Sequence, residues 1–310
     1  MAVGPATLAR PAPLAGRRLT LRTVLEREGV FGWLMLGPGV LFLLAFVAYP
    51  FFYGIFLSLE ERRVASPGTF VGFANFVTLA HDSIFWQIVR NTLVYVAVTT
   101  VLKLAGGLGM ALVMNQAFRG RNLVRASLLL PFIVPTALST VAWMWILDPT
   151  FSVINWTLRN TGLMTENFSW LGNARLAMVS IIMVNTWRGL PFYGITLLAG
   201  LQTISPDLYE AAAIDGASIT QRFWNITIPV IKPVLIIVTM FSVIFTFSDF
   251  QLPYILTHGG PANATHLFAT YAFDIGMSAG QLGMGAAVAL AMLPALGLLI
   301  VALTLYLRRE

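Results

Sequence analysis

Long apolar runs broken by short polar segments dominate the chain. A helix crossing about 30 Å of hydrocarbon needs roughly 20 apolar residues. Six stretches reach that length, at about Phe31–Leu59, Ile88–Met114, Ala126–Leu147, Leu176–Leu201, Val230–Leu256 and Leu282–Leu307. None alternates apolar and polar residues as a barrel strand would. Backbone in lipid must also satisfy its own hydrogen bonds. The pattern therefore predicts an all-α, polytopic membrane protein with six transmembrane helices.

Composition agrees. The chain is 57% hydrophobic and only 10% charged, with a mean hydropathy of +0.79, against about 25% charged residues in an ordinary soluble domain. So few charges cannot build a solvated surface. The absence of cysteine removes disulfides, thiolate metal sites and cysteine catalysis. A net charge of +6 invites a nucleic-acid reading, but the charges sit in short segments beside apolar spans, which is a topology signal. With the N-terminus inside, 12 Lys and Arg fall on the cytosolic side, among them Arg17, Arg119, Arg125, Arg222 and Arg308. Five fall outside: Arg62, Arg63, Arg90, Arg159 and Arg175. That asymmetry places both termini in the cytosol. Residues 1–28, rich in Ala, Pro and Arg, read as a disordered cytosolic segment. They are no signal peptide, because the basic part is too long and the apolar run that follows is a full span.

The segment between spans four and five, about 202–229, breaks the apolar monotony. Ser205 suits an N-cap, Pro206 the first helical position, and Asp207 the positive end of the helix. Gly216 supplies a left-handed C-terminal residue. Ser218 with Gln221 forms a capping box that starts a second short helix, after which Pro229 and Pro233 reset the chain into span five. The product is a compact cytosolic helix–turn–helix. Its face is small and mostly apolar (Ala211, Ala212, Ala213, Ile214, Ala217), suited to close approach by another protein or to an interfacial helix.

Polar groups inside spans are costly, about 2.5–3.5 kcal/mol per charge on insertion scales, and mark cavities or partners. In span five, Ser242, Phe245, Thr246 and Asp249 recur at i, i+3, i+4 and i+7, on one helical face. Hydroxyls, a carboxylate and a ring suit a sugar, whose hydroxyls need hydrogen bonds and whose C–H faces lie against aromatics; helix–helix packing is the other reading of that face. Span four places Arg188 and Phe192 one turn apart, with Gly189 and Pro191 between them expected to loosen or kink the helix. Lys103 snorkels, faces a protein partner or, as a third reading, lines the substrate path. His81, His258 and His266 have no metal-binding spacing and read as loop residues.

Three segments carry a family resemblance. Glu210-Ala211-Ala212, then Gly216, Ile226 and Pro229, resemble the EAA motif of binding-protein-dependent ABC importer permeases. Leu256-Thr257-His258-Gly259-Gly260-Pro261 and Asn185-Thr186-Trp187-Arg188-Gly189-Leu190-Pro191-Phe192 are similar to segments of its carbohydrate branch, the maltose and glycerol-phosphate type. They occur in the family's order, and the resemblance covers about residues 30–307. It implies a type I ABC importer permease fold, with a permease domain at 29–310. It also implies a coupling helix that docks on an ATPase subunit through Glu210, Ala211, Ala212, Asp215, Gly216 and Ala217. Carried over residue by residue, the sugar site would comprise Arg188, Gly189, Phe192, Ser242, Phe245, Thr246 and Asp249. Arg188 departs from a neutral pocket, and either pairs with Asp249 or meets an anionic substrate such as glycerol phosphate. The outer segment Phe70–Phe76 resembles the family's first outer segment and is a candidate binding-protein contact.

A phosphate-binding loop needs Gly-Lys-Ser/Thr. The only two lysines, Lys103 and Lys232, follow Leu102 and Ile231, so ATP and Mg belong to a partner and the chain itself holds no cofactor or metal. The expected partners are a second, related permease in a heterodimer, two ATP-binding subunits, an extracytoplasmic solute-binding protein and membrane lipid, with no nucleic acid. The chain is expected to be a multi-pass inner-membrane transport subunit and no enzyme. An ion-coupled secondary transporter would need more intramembrane carboxylates than Asp249 and visible internal repeats. A membrane-embedded enzyme would need a clustered catalytic constellation, and none is visible.

Overall fold

The computed structural model describes residues 28–308. The predicted disordered segment, but for Glu28, lies outside the described residues. Backbone contacts divide the chain into two units between Gly54 and Ile55. The first holds α1 (Glu28–Leu43), a π-helical turn (Leu44–Ala48) and the start of α2 (Tyr49–Ser58). Its large side chains, from Trp33 to Phe52, are exposed almost all round, as befits a helix solvated by lipid.

The second unit begins with a two-stranded hairpin, β1 (Glu60–Glu61) and β2 (Thr69–Phe70), paired antiparallel with Glu60 opposite Phe70. Sequence reading missed it because four paired residues carry no usable pattern. After it come α3 (Ala74–His81), α4 (Ser83–Asn115), α5 (Arg121–Ile133), α6 (Thr136–Ile146), α7 (Val153–Asn160) and α8 (Ala174–Leu201). The chain continues through α9 (Pro206–Ile214) and α10 (Ile219–Arg222), a π-helical turn (Phe223–Thr227), and α11 (Ile228–Phe247). Last come α12 (Gln251–Thr257), α13 (Phe268–Phe273), a π-helical turn (Asp274–Ser278) and α14 (Leu282–Arg308).

Among the described residues, four helices are long and apolar enough to cross a membrane: Gly32–Ser58, Ser83–Asn115, Ile219–Phe247 and Leu282–Ala302. A fifth arises if α5 and α6 count as one span bent by 95°. The sequence predicted a straight helix there. Val134 precedes Pro135, whose ring excludes the helical region for the residue before it, and Val134 is extended at ψ 130°. The predicted fourth span, α8, is 28 residues long but falls outside that set, because Asn185, Thr186 and Arg188 dilute the middle of an otherwise apolar helix.

Two further expectations concern breaks in the helices. α8 runs as one helix through Gly189 and Pro191, so whatever loosening they bring does not break it. The break lies in the fifth span. α11 ends at Phe247, and Ser248 to Phe250 separate it from α12. At the other end, the second helix of the loop is not set apart by Pro229 and Pro233. α10, the π turn and α11 form one run from Ile219 to Phe247, with Pro229 placed just after the π turn.

α4 and α8 pack along one another and form the centre of the unit. Both would run in the same direction through the bilayer. α4 supplies residues to all three apolar clusters. Phe85, Ile88 and Val96 meet Phe247, Phe268 and Val288; Tyr95 meets Ile181, Val184 and Leu252; Ala111 meets Tyr193, Leu197 and Val238. The two helices approach closely because of glycine. A Cβ on Gly107 would overlap the Tyr193 Cβ and stand 3.4 Å from the Gly194 backbone nitrogen.

The hairpin is fixed by polar contacts. Asn75, buried, donates from Nδ2 to the carbonyls of Ser58 (2.8 Å) and Glu60 (2.9 Å). The N–H of Val64 donates to the Gly280 carbonyl, and that of Gly283 to the Arg62 carbonyl, which joins the hairpin to the start of α14. At the same end, Tyr271 donates to Asp82 at 3.2 Å. Burial, then the Asp82 charge and that hydrogen bond, push its phenol up to about 12.

Candidate functional site

The break after α11 is where the polar groups converge. Asp249 lies in it, past the helix end, and its two oxygens do different work. Oδ2 accepts from the Tyr95 hydroxyl and from Asn185 Nδ2, both at 2.8 Å. Oδ1 accepts from the Leu252 N–H at 3.4 Å, satisfying one of the orphan donors at the start of α12. One carboxylate thus ties α4, α8 and α12 together. The hydrogen-bond donors explain why a break is tolerated at this depth, where each freed backbone group needs a partner.

These groups border a cavity of about 660 Å³. All seven residues proposed from sequence line it: Arg188, Gly189 and Phe192 from α8, Ser242, Phe245 and Thr246 from α11, and Asp249. They do not form the uniform face expected of one straight helix. Ser242 and Thr246 are buried, whereas Phe245 is 65% exposed and stacks on Phe241. Phe192 stacks on Phe132 of α5, another lining residue. No ion pair joins Arg188 to Asp249 among the described residues. The carboxylate is occupied by neutral donors, so the pairing considered from sequence does not form.

Sequence reasoning left three contributors out of the site. Lys103, only 5% exposed, lines the cavity and donates from Nζ to Thr246 Oγ1 at 2.9 Å. Its stem packs where a side chain on Gly189 would stand, with Cδ 2.8 Å from that position, so Gly189 matters as the space that admits a lysine rather than as a helix breaker. Asn185 lines the cavity, while Tyr95 orients Asp249 from behind it. The signals were present: Lys103 is a lysine in the middle of a span, and Asn185 belongs to the quoted span-four segment. Neither paired with a partner by local spacing.

The segment Leu256–Pro261 acts as a clasp at the hairpin end. Thr257 and Thr265 share a hydrogen bond of 2.7 Å, and Thr265 also donates to the Gly260 carbonyl. Gly259 has φ +81° and faces the His266 ring directly, a place no side chain could occupy. Asn91 of α4 donates to the carbonyls of Asn263 and His266. His266, buried here, has its pKa lowered by burial. No group of His, Asp and Glu among the described residues is arranged to hold a metal ion.

At the far end of the same helices lies the loop. The predicted caps form: Ser205 accepts from Asp207 N–H, the Ser218–Gln221 capping box is complete in both directions, and Gly216 has φ +80°. Tyr209 and Thr227 share a hydrogen bond of 2.8 Å that ties α9 to the π turn. Glu210, Ala211, Asp215 and Gly216 are exposed, and Ala212 and Ala217 half-buried. The apolar face is larger than the sequence reading made it. Ile214 is 87% exposed and Ile219 79%, with Leu208 and Trp224 beside them in sequence and also exposed.

Residues 103–309 match the family described as binding-protein-dependent transport system inner membrane component. The chain belongs to this family. It is therefore an inner-membrane permease subunit, a non-catalytic component of a binding-protein-dependent transport system. The permease is 36% identical over 265 residues to the trehalose/maltose transport system permease protein MalF of Thermococcus litoralis, covering 85% of this chain and 89% of that protein. It is 33% identical to the sulfoquinovosyl glycerol transport system permease protein SmoG of Agrobacterium fabrum, covering 84% of each. Its fold is that of a chain in a bacterial ABC transporter involved in the import of the acidic polysaccharide alginate, at a TM-score of 0.79 and 22% identity over 92% of this permease and 97% of that chain.

Proposed function

We propose that this permease forms half of the membrane pathway of an ATP-driven importer for a sugar or sugar-like solute. The observation that carries this reading is the cavity, where hydroxyls, amides, charges and aromatic rings meet at a helix break deep in the apolar bundle. Ser242, Thr246, Asn185 and Asp249 offer hydrogen-bonding groups, and Phe192 and Phe245 offer rings for sugar C–H faces. Relatives named for trehalose/maltose and for sulfoquinovosyl glycerol support a carbohydrate. Glycerol phosphate or a polyol is the second reading, favoured by an Arg188 that lacks an acid partner. In this scheme six helices cross the membrane, both termini are cytosolic, and 29–310 is the permease domain.

A second, related permease completes the pathway, and an extracytoplasmic protein delivers the solute. Two ATP-binding subunits hold ATP and Mg and dock on the loop through Glu210, Ala211, Ala212, Asp215, Gly216 and Ala217. The exposed apolar patch around Ile214 and Ile219 supports such a docking face, since isolated apolar residues at a membrane edge are common but a rigidly capped set is suited to a partner's cleft. Affinity purification of the assembled complex tests it. Glu210→Lys is expected to reduce recovery of the ATPase by about ten-fold or more, the scale of one disrupted interfacial charge, while leaving the permease in the membrane. Sugar transport by this chain alone, without ATP, would sink the proposal.

A further inference from the structure

The cavity's charges do not balance. Its lining carries two cations, Lys103 and Arg188, and one carboxylate, Asp249. That carboxylate is already held by Tyr95, Asn185 and the Leu252 N–H. Lys103 has one fixed acceptor, the Thr246 hydroxyl. No hydrogen bond or ion pair engages the Arg188 guanidinium among the described residues. A planar fork of donors deep in an apolar bundle, with no acceptor of its own, is an expensive feature that a suitable ligand would relieve.

The same imbalance recurs above the cavity on the same two helices. A wider hollow of about 690 Å³ is lined by Arg90 of α4 and Arg175 of α8, with Gln87 and Asn91. Neither guanidinium has an ion pair within the described residues, and no acidic residue lines the hollow. Arg90 precedes Lys103, and Arg175 precedes Arg188, by 13 residues each, or about 20 Å of helix. Two parallel helices thus carry two tiers of positive charge, the upper one exposed with no acid lining its hollow, the lower one two cations sharing the single carboxylate of Asp249 at the cavity.

We infer that the solute this permease moves is an acidic sugar, bearing a carboxylate, sulfonate or phosphate. Its anionic group is drawn in at Arg90 and Arg175 and bound below by Arg188 and Lys103. This rests on the reading of the chain as a sugar permease and narrows it to one charge class. Exposed arginines at the upper tier attract over a Debye length of about 10 Å at 0.1 M salt. The fork at Arg188 fits a carboxylate, sulfonate or phosphate bidentately.

ATP-dependent uptake into proteoliposomes of phosphatidylcholine, by the complete importer with its binding protein, tests the inference. The labelled probes are two matched pairs: glucosylglycerol with its 6-sulfonate, and trehalose with trehalose 6-phosphate. The charged member of at least one pair is expected to enter about ten-fold faster or more, the effect of one charge-assisted contact. Arg188→Gln should abolish that preference, and Arg188→Lys should restore part of it. The double variant Arg90→Gln, Arg175→Gln should slow charged uptake several-fold at low salt and little at high salt. Equal or faster uptake of the neutral members overturns the inference and leaves the sugar-importer reading standing, as does an unchanged preference in Arg188→Gln. No ATP-dependent uptake of any of the four overturns that underlying reading and the inference with it. Salt-independent uptake in the double variant overturns the role of the upper tier.

Discussion

Asp249→Ala is expected to abolish solute uptake, by about 100-fold or more, and to lower the thermal stability of the assembled permease. Three donors lose their acceptor at once: the Tyr95 hydroxyl, Asn185 Nδ2 and the Leu252 N–H. Each buried group left unpaired costs about 1–3 kcal/mol. The electrostatic loss adds to this, because Asp249 is the one acid lining a cavity that also holds Lys103 and Arg188. Removing it leaves two cations facing each other in an apolar bundle. Asp249→Asn separates the two causes. An amide oxygen can still accept from Tyr95 and Asn185, so part of the melting temperature should return. The charge does not, and uptake should stay low. Transport by the alanine variant at the unaltered rate would rule out Asp249 as the tie between α4, α8 and α12.

The second large effect concerns packing. Gly107→Val should prevent α4 and α8 from seating against each other. The new Cβ would occupy the space of the Tyr193 Cβ and press on the backbone at Gly194. Neither neighbour is the free end of a flexible side chain. Relief requires the helices to separate, along an interface that contributes to two of the three apolar clusters. Overpacking typically costs about 1–3 kcal/mol and more where backbone must move, so the apparent melting temperature should fall by roughly 5–10 °C, with aggregation on extraction. Gly109→Val, two residues on, provides the control. Nothing lies within 4 Å of a Cβ there, and its melting curve should match the parent. Indistinguishable curves for both variants would show that the close approach does not matter.

Much of this arrangement was legible along the chain because its signals are local. The apolar runs gave α4, α11 and α14, and the caps at Ser205, Gly216 and Ser218 were read from side-chain chemistry that acts over three or four residues. The seven proposed site residues came from the family resemblance together with the one-turn spacings of Arg188 with Phe192 and of Ser242 with Thr246, and all seven line the cavity. What escaped depends on contacts distant in sequence. Asp249 reaches Tyr95 across 154 residues and Lys103 reaches Thr246 across 143, so neither partnership leaves a pattern in either helix. The bend at Val134–Pro135 was present as a dipeptide but was outweighed by the apolarity around it.

The uninterrupted helix from Ile219 to Phe247 makes the exposed loop and the cavity two ends of one lever. Ile219 stands clear of the fold at one end, and Thr246, one residue from the other, holds Lys103. The arm is about 40 Å long. A tilt of about 10° around its middle would carry Thr246 through roughly 3 Å, more than the slack of any hydrogen bond. A modest push on the loop therefore has a stroke long enough to unlatch the lysine from the hydroxyl. The π turn and Pro229 lie near the pushed end of that run, so the stretch from α11 onward is what carries the stroke to the hydroxyl.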